Sequence, residues 1–333
     1  MSTSLLRLAR RALARGLSCG LAILAFQAIA APAGAQDWPT RPVKLVTPFP
    51  TGGSVDGIAR IVAEQLKNLL GQPVVVENMT GVGALTGSEF VARAAPDGYT
   101  LLMAAPSLAN SPLLYGRNAY DWQTDFTFIT SISVQPLVLL VKPTMPARTL
   151  TAFIAQARKE NGRMVMGTAG EGLVGHLAGL LLEQRAGVRF EAAHYHSGSP
   201  AMIDLMSDQT QFQFEPISTA LPMVRDGKLR ALAVTSLMRS PALPDVPAVA
   251  ETLPGFEAVN LLGLVGPANL PGPVVEKLSV AAKSLLEDPV VQRRFEGLGT
   301  EVRFTTPEDY RALLGRQAAL WAQVIRKANL RLE

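Results

Sequence analysis

Apolar positions along the chain fall into two alternating patterns. Short runs rich in β-branched residues, at Val43–Thr47, Val74–Glu77 and Thr100–Ala104, predict strands. The longer stretches between them, Asp56–Leu70 and Ala84–Ala94, repeat their apolar residues at helical spacing. Such alternation predicts parallel βαβ units. Strands that are apolar throughout, not at every second position, predict a sheet covered on both faces. Asp97-Gly98 marks a sharp turn before the third strand.

A second series begins after Pro143. It reads as helix Leu150–Glu160, strand Met164–Gly167, helix Gly175–Gly187, strand Phe190–Tyr195, helix Pro200–Met206, strand Thr210–Phe214, helix Thr219–Gly227 and strand Ala231–Thr235. Pro241–Pro254 reads as an ordered surface connection, and Leu261–Pro267 as a further strand. Two helices, Pro273–Leu286 and Pro307–Ala328, close the chain around a short segment at Glu301–Phe304. The apolar segment Leu137–Val141 leaves the first series and Leu261–Val265 returns to it. Two crossings predict a discontinuous lobe, 36–138 plus 262–333, around an inserted lobe, 139–261. Each lobe is expected to be a mostly parallel sheet flanked by helices, with a hinged cleft between the lobes where ligands bind by preference.

The N-terminus modifies this picture. Arg7, Arg10, Arg11 and Arg15 precede an apolar run from Leu17 to Ala31 and the small residues Ala33-Gly34-Ala35. That order predicts a secretory signal peptide over residues 1–35, cleaved before Gln36. The run is shorter than the ~20 residues that span a bilayer. Cys19 precedes most of it, which argues against a lipoprotein anchor. The formal charge is +4, from 31 basic against 27 acidic residues. The four excess positive charges lie in the leader, so the exported chain is expected to be neutral, with no basic field for nucleic acid. The only cysteine leaves with the leader, which excludes disulfides and thiol chemistry from the exported chain.

Chemistry is expected in the loops. Pro48-Phe49-Pro50-Thr51-Gly52-Gly53-Ser54-Val55-Asp56 joins the first strand to a helix, and Thr168-Ala169-Gly170-Glu171-Gly172-Leu173-Val174-Gly175-His176 does the same in the second lobe. Glycines let the backbone approach a ligand, and the amides that open a helix attract anions. The alternative is an ordinary turn capped by Ser54 or Asp56. Two such loops facing each other across a cleft would grip a carboxylate. Gly81-Val82-Gly83-Ala84-Leu85-Thr86-Gly87 is a third candidate for the rim.

Gly170–Gly175 also spells GxGxxG after a strand, with Glu191 about twenty residues on, as in dinucleotide sites. A secreted oxidoreductase is therefore a rival reading, weakened by export away from free nicotinamide cofactors. His194 and His196 would share one face of a strand, where Glu191 cannot join them. No HExxH or cysteine cluster occurs, and no GxSxG elbow lies beyond the expected leader. No catalytic set, cofactor or metal is expected, and the chain reads as a binding protein, not an enzyme.

Trp38-Pro39, Arg41-Pro42, Pro48-Phe49-Pro50 with Gly52-Gly53-Ser54 and Asp56, Gly71-Gln72-Pro73-Val74-Val75-Val76-Glu77-Asn78, Ala95-Pro96-Asp97-Gly98-Tyr99-Thr100, Gly227–Thr235 and Arg239–Pro247 together resemble the Bug family, the periplasmic substrate-binding receptors of tripartite tricarboxylate transporters. The resemblance covers 37–333. It implies an α/β two-lobe periplasmic binding protein fold, a small carboxylate ligand and membrane transporter subunits as partners; the chain itself is expected to be a monomer in the periplasm. A receptor for a membrane sensor is the alternative role.

By position, the resemblance implies ligand binding by Thr51, Gly52, Gly53, Ser54 and Asp56 in one lobe, where Phe49 and Ser107 are further candidates. In the other lobe it implies Thr168, Ala169, Gly170, Gly172 and Tyr195. The chain departs from the family pattern at Leu173, Glu171, Met79-Thr80, Gln211 and the segment His194-Tyr195-His196-Ser197-Gly198. Met79, Glu171, Leu173 and His196 are accordingly the expected specificity positions. A Glu beside the site disfavours a dianion, which points to one carboxylate on an apolar body.

Overall fold

The computed structural model describes residues 38–116 and 119–332. The expected signal peptide and its cleavage point lie outside the described residues. From residue 41 onward the first elements are β1 (Val43–Thr47), α1 (Ser54–Leu70), β2 (Val74–Asn78), α2 (Leu85–Ala92), β3 (Thr100–Ala104), α3 (Ser107–Tyr115) and β4 (Phe126–Val141). Next come α4 (Leu150–Glu160), β5 (Val165–Thr168), α5 (Val174–Ala186), β6 (Glu191–His194), α6 (Gly198–Met206), β7 (Phe212–Pro216), α7 (Ile217–Arg225) and β8 (Arg230–Val234). The chain closes with β9 (Val259–Pro267), α8 (Gly272–Glu287), α9 (Pro289–Gly297), β10 (Glu301–Val302) and α10 (Pro307–Ala328).

The strands run in the order β2-β1-β3-β9-β4-β7-β5-β6, with β8 and β10 also paired to β4. The two outer groups, β2-β1-β3 and β7-β5-β6, are parallel as the βαβ pattern predicts. The central strands β9 and β4 run antiparallel to their neighbours.

β4 holds the two groups together. Its residues Phe126–Pro136 pair with β9, and Leu137–Val141 pair with β7 and β8. The segment Leu137–Val141 is thus the second half of a 16-residue strand. Its first half escapes a pattern reading because Thr130, Ser131, Ser133 and Gln135 interrupt the apolar run, although all four are buried. Three of them bond to the segment around β10: Thr130 donates to the Thr305 carbonyl at 2.8 Å, Ser131 to that of Arg303 at 2.6 Å, and Gln135 to the Thr300 hydroxyl at 3.0 Å.

α3 was also not predicted. It buries Ser107, Asn110 and Ser111 beside Leu108 and Leu114, so polarity does not mark its outer face. α10 touches two cores. Tyr310, Leu314 and Ala318 pack in the cluster around β3, β9 and α3, whereas Trp321, Val324 and Ile325 pack with β5, α4 and α5. Its last turns therefore pack on residues of the expected second lobe, while the sequence reading placed all of 262–333 in the first.

Candidate functional site

Five helices open onto one cavity of about 110 Å³. Its wall includes Gly53-Ser54-Val55 at the start of α1, Pro106-Ser107 at α3, Leu173-Val174 at α5, Ser197-Gly198 at α6 and Pro216 at α7. None of these helices has a side-chain cap. The cap positions explain why: Gly53, Pro106, Leu173 and Pro216 carry no side-chain acceptor, and the Ser197 hydroxyl does not reach the following turn. Of the helices that do not open on the cavity, α4, α9 and α10 are capped by Thr149, Asp288 and Thr306, whereas α2 and α8 have no side-chain cap. At α3 the Leu108 and Ala109 amides are taken by the Ala105 and Pro106 carbonyls; opening amides that no side chain caps, at the positive end of a helix dipole, favour an anion.

The first loop is held from behind. Asp56, 2% exposed, accepts hydrogen bonds from the Gly52 amide, the Arg60 guanidinium and Asn78 Nδ2, each at 2.9 Å. Asn78 also donates to the Phe49 carbonyl at 3.0 Å. Burial pushes the Asp56 carboxyl up, but the hydrogen bonds from Arg60, Gly52 and Asn78 together outweigh it and hold the group below its ordinary range. Neither Ser54 nor Asp56 caps α1. Asp56 fastens the turn that presents Gly53 and Ser54, and Gly52 makes that turn possible with φ +82°.

The second loop is braced by two histidines. His176 Nδ1 accepts from the Gly172 amide at 3.0 Å, and its ring packs edge-on against His194 with centroids 4.7 Å apart. The His194 Nδ1 lies 2.7 Å from the Thr168 hydroxyl. Burial, with His194 adding to it, lowers His176 to about 4, so its imidazole is neutral. The pair that meets is His176 and His194, not His194 and His196, because β6 ends at His194. No group of three metal-ligating side chains occurs among the described residues. Gly175 of the GxGxxG run has a packing role: a Cβ there would stand 2.6 Å from the Phe214 carbonyl.

Of the sequence-predicted residues, Phe49, Gly53, Ser54, Ser107, Ala169, Leu173 and His196 line the cavity. The buried Ser107 hydroxyl has no partner in the protein. Thr51 and Gly52 are exposed at the loop tip, and Asp56, Thr168, Gly170 and Gly172 are not part of the wall. The Tyr195 hydroxyl donates to Asp204 at 2.6 Å, Glu171 faces His194 at 3.8 Å, and Met79 packs against the core around β3. The sequence reading missed Glu215, Asn260 and Phe214, which also form the wall. Glu215 had a usable signal. It follows the apolar residues of β7 near that strand's C-terminal end, where α/β sheets place their ligands.

Residues 58–330 match the model of the tripartite tricarboxylate transporter family receptor. The chain belongs to this family. The receptor is 32% identical to Protein BugT of Bordetella pertussis over 316 residues, covering 93% of this chain and 96% of BugT. Its fold matches the periplasmic binding protein BugD with a TM-score of 0.82 at 34% identity, covering 89% of this chain and all of BugD. It also matches an R. palustris protein solved with adipate, with a TM-score of 0.84 at 29% identity, covering 88% and 99% of the two chains. These likenesses establish the α/β two-lobe binding-protein fold for the receptor.

Proposed function

We propose that this receptor captures one small carboxylate in the cavity at the openings of α1, α3, α5, α6 and α7, after export to the periplasm, and delivers it to membrane subunits of a tripartite tricarboxylate-type transporter. The observation that carries this reading is the convergence of uncapped helix openings with the unpartnered Ser107 hydroxyl. The wall draws on both proposed lobes, 36–138 plus 262–333 and 139–261, so hinge movement at β4 and β9 would open and close it. The adipate complex of a relative supports a carboxylate ligand. The apolar wall of Phe49, Val55, Leu173, Val174 and Phe214 favours an apolar body behind a single carboxylate.

Calorimetry of the exported chain against aliphatic and aromatic monocarboxylates, adipate and malate tests this. Carboxylate binding that weakens at least tenfold in Ser107→Ala is expected. Binding confined to uncharged sugars or amines would refute it.

A further inference from the structure

Glu215 is an acidic side chain in the wall of a cavity otherwise built to attract anions. It is 4% exposed. One carboxylate oxygen accepts from Gln213 Nε2 at 2.6 Å and the other from the Thr219 hydroxyl at 2.5 Å. Both contacts come from donors, so the group is arranged as an acceptor, and each oxygen retains capacity for one more hydrogen bond. The opening of α6 is fitted against it: a Cβ on Gly198 would lie 2.3 and 2.4 Å from the two carboxylate oxygens.

No Lys or Arg lines the cavity, and Glu215 has no ion pair among the described residues. His196 is the other ionisable residue of the wall. A second buried acceptor, Gln213 Oε1, has no partner in the protein. A buried carboxylate is costly unless it is paired and hydrogen-bonded. Burial accordingly pushes Glu215 up to about 7, against the pull of Thr219 and Gln213.

We infer that Glu215 selects a ligand carrying a cationic ammonium group close to its carboxylate, making this a receptor for amino acids with apolar side chains. This rests on the carboxylate-binding reading above. The helix openings hold the ligand's carboxylate, and Glu215, held from behind by Gln213, receives the ammonium N–H groups. A charge-assisted contact of this kind, formed out of water, is stronger than a neutral hydrogen bond. A ligand without the ammonium leaves Glu215 unpaired.

The test is calorimetry on the exported chain with two matched pairs, leucine with 4-methylpentanoate and phenylalanine with 3-phenylpropanoate, beside adipate and malate. The amino acid of at least one pair should bind at least tenfold more tightly than its deaminated counterpart and than both diacids. Glu215→Gln, with folding checked by thermal melting, should abolish that preference. Deaminated acids or diacids binding as tightly as the amino acids would overturn the inference while leaving the carboxylate receptor intact. The same holds for a preference that survives Glu215→Gln. Failure of every carboxylate to bind would instead refute the receptor reading and this inference with it. If Glu215→Gln does not fold, the matched pairs on the unaltered protein decide.

Discussion

The Thr235 hydroxyl accepts a hydrogen bond from the Leu137 amide at 2.7 Å, at the point where β4 exchanges β9 for β7 and β8 as partners. The same hydroxyl donates to the Ala258 carbonyl at 2.5 Å, immediately before β9. One fully buried side chain thus joins both segments that cross between the strand groups. Thr235→Val keeps the volume and removes the hydroxyl, leaving the Leu137 amide short of a partner. Such a loss costs about 1–3 kcal/mol. Denaturant unfolding should show this, together with a change in ligand affinity if the crossing acts as the hinge.

Ser107 offers a test that separates binding from folding. Its buried hydroxyl is unsatisfied within the protein, so removing it takes away a cost to the folded state. Ser107→Ala should melt at the same temperature or higher while ligand affinity falls at least tenfold. A loss of stability without loss of affinity would mark Ser107 as a packing residue.

Asp56 is expected to act on affinity through the shape of the first loop. Asp56→Ala frees the Gly52 amide, Arg60 and Asn78 together, so ligand affinity and melting temperature should both fall. Because the folded-state carboxyl lies below its ordinary 3.8, its contribution to stability is present above that pH. That contribution is lost as the pH falls through the lower, folded value. The acid limb of the stability profile should therefore flatten in the variant.

Glu215 and His176 should impose opposite pH slopes on stability. Glu215 rises from 4.5 to about 7 on folding, so its proton-linked stability is complete below pH 4.5 and is lost as pH rises through 7. His176 falls from 6.5 to about 4, so its contribution is complete above pH 6.5 and is lost as pH falls through 4. The two partly cancel in the parent protein. Melting temperatures between pH 4 and 8 should therefore fall toward acid in Glu215→Gln. In His176→Asn, which keeps an acceptor for the Gly172 amide, they should fall toward alkali. Identical profiles in both variants would contradict the assignment.

Trp321 tests the attachment of α10 to the second core. It is 1% exposed in the cluster that contains α4 and α5. Trp321→Ala should cost about 3–5 kcal/mol in chemical denaturation. Proteolysis should then cut the last turns of α10 sooner than β4 or β9.

The sequence by itself determined the parallel βαβ groups, the two loops that begin α1 and α5, and the family. Those features are local or ordered along the chain: apolar runs, glycines before helices, and motifs such as Pro48–Asp56. Tertiary structure decided what each polar residue in those motifs does. Asp56 and Thr168 look like ligand groups in sequence, yet they turn inward to fasten their own loops because buried acceptors must be satisfied. It also decided that β4 continues through Thr130, Ser131 and Gln135, whose hydrogen-bond partners stand about 170 positions away. Glu215 entered the cavity for the same reason. Its neighbours Gly198 and Thr219 lie on two different helices, and only packing brings those helix openings around one carboxylate.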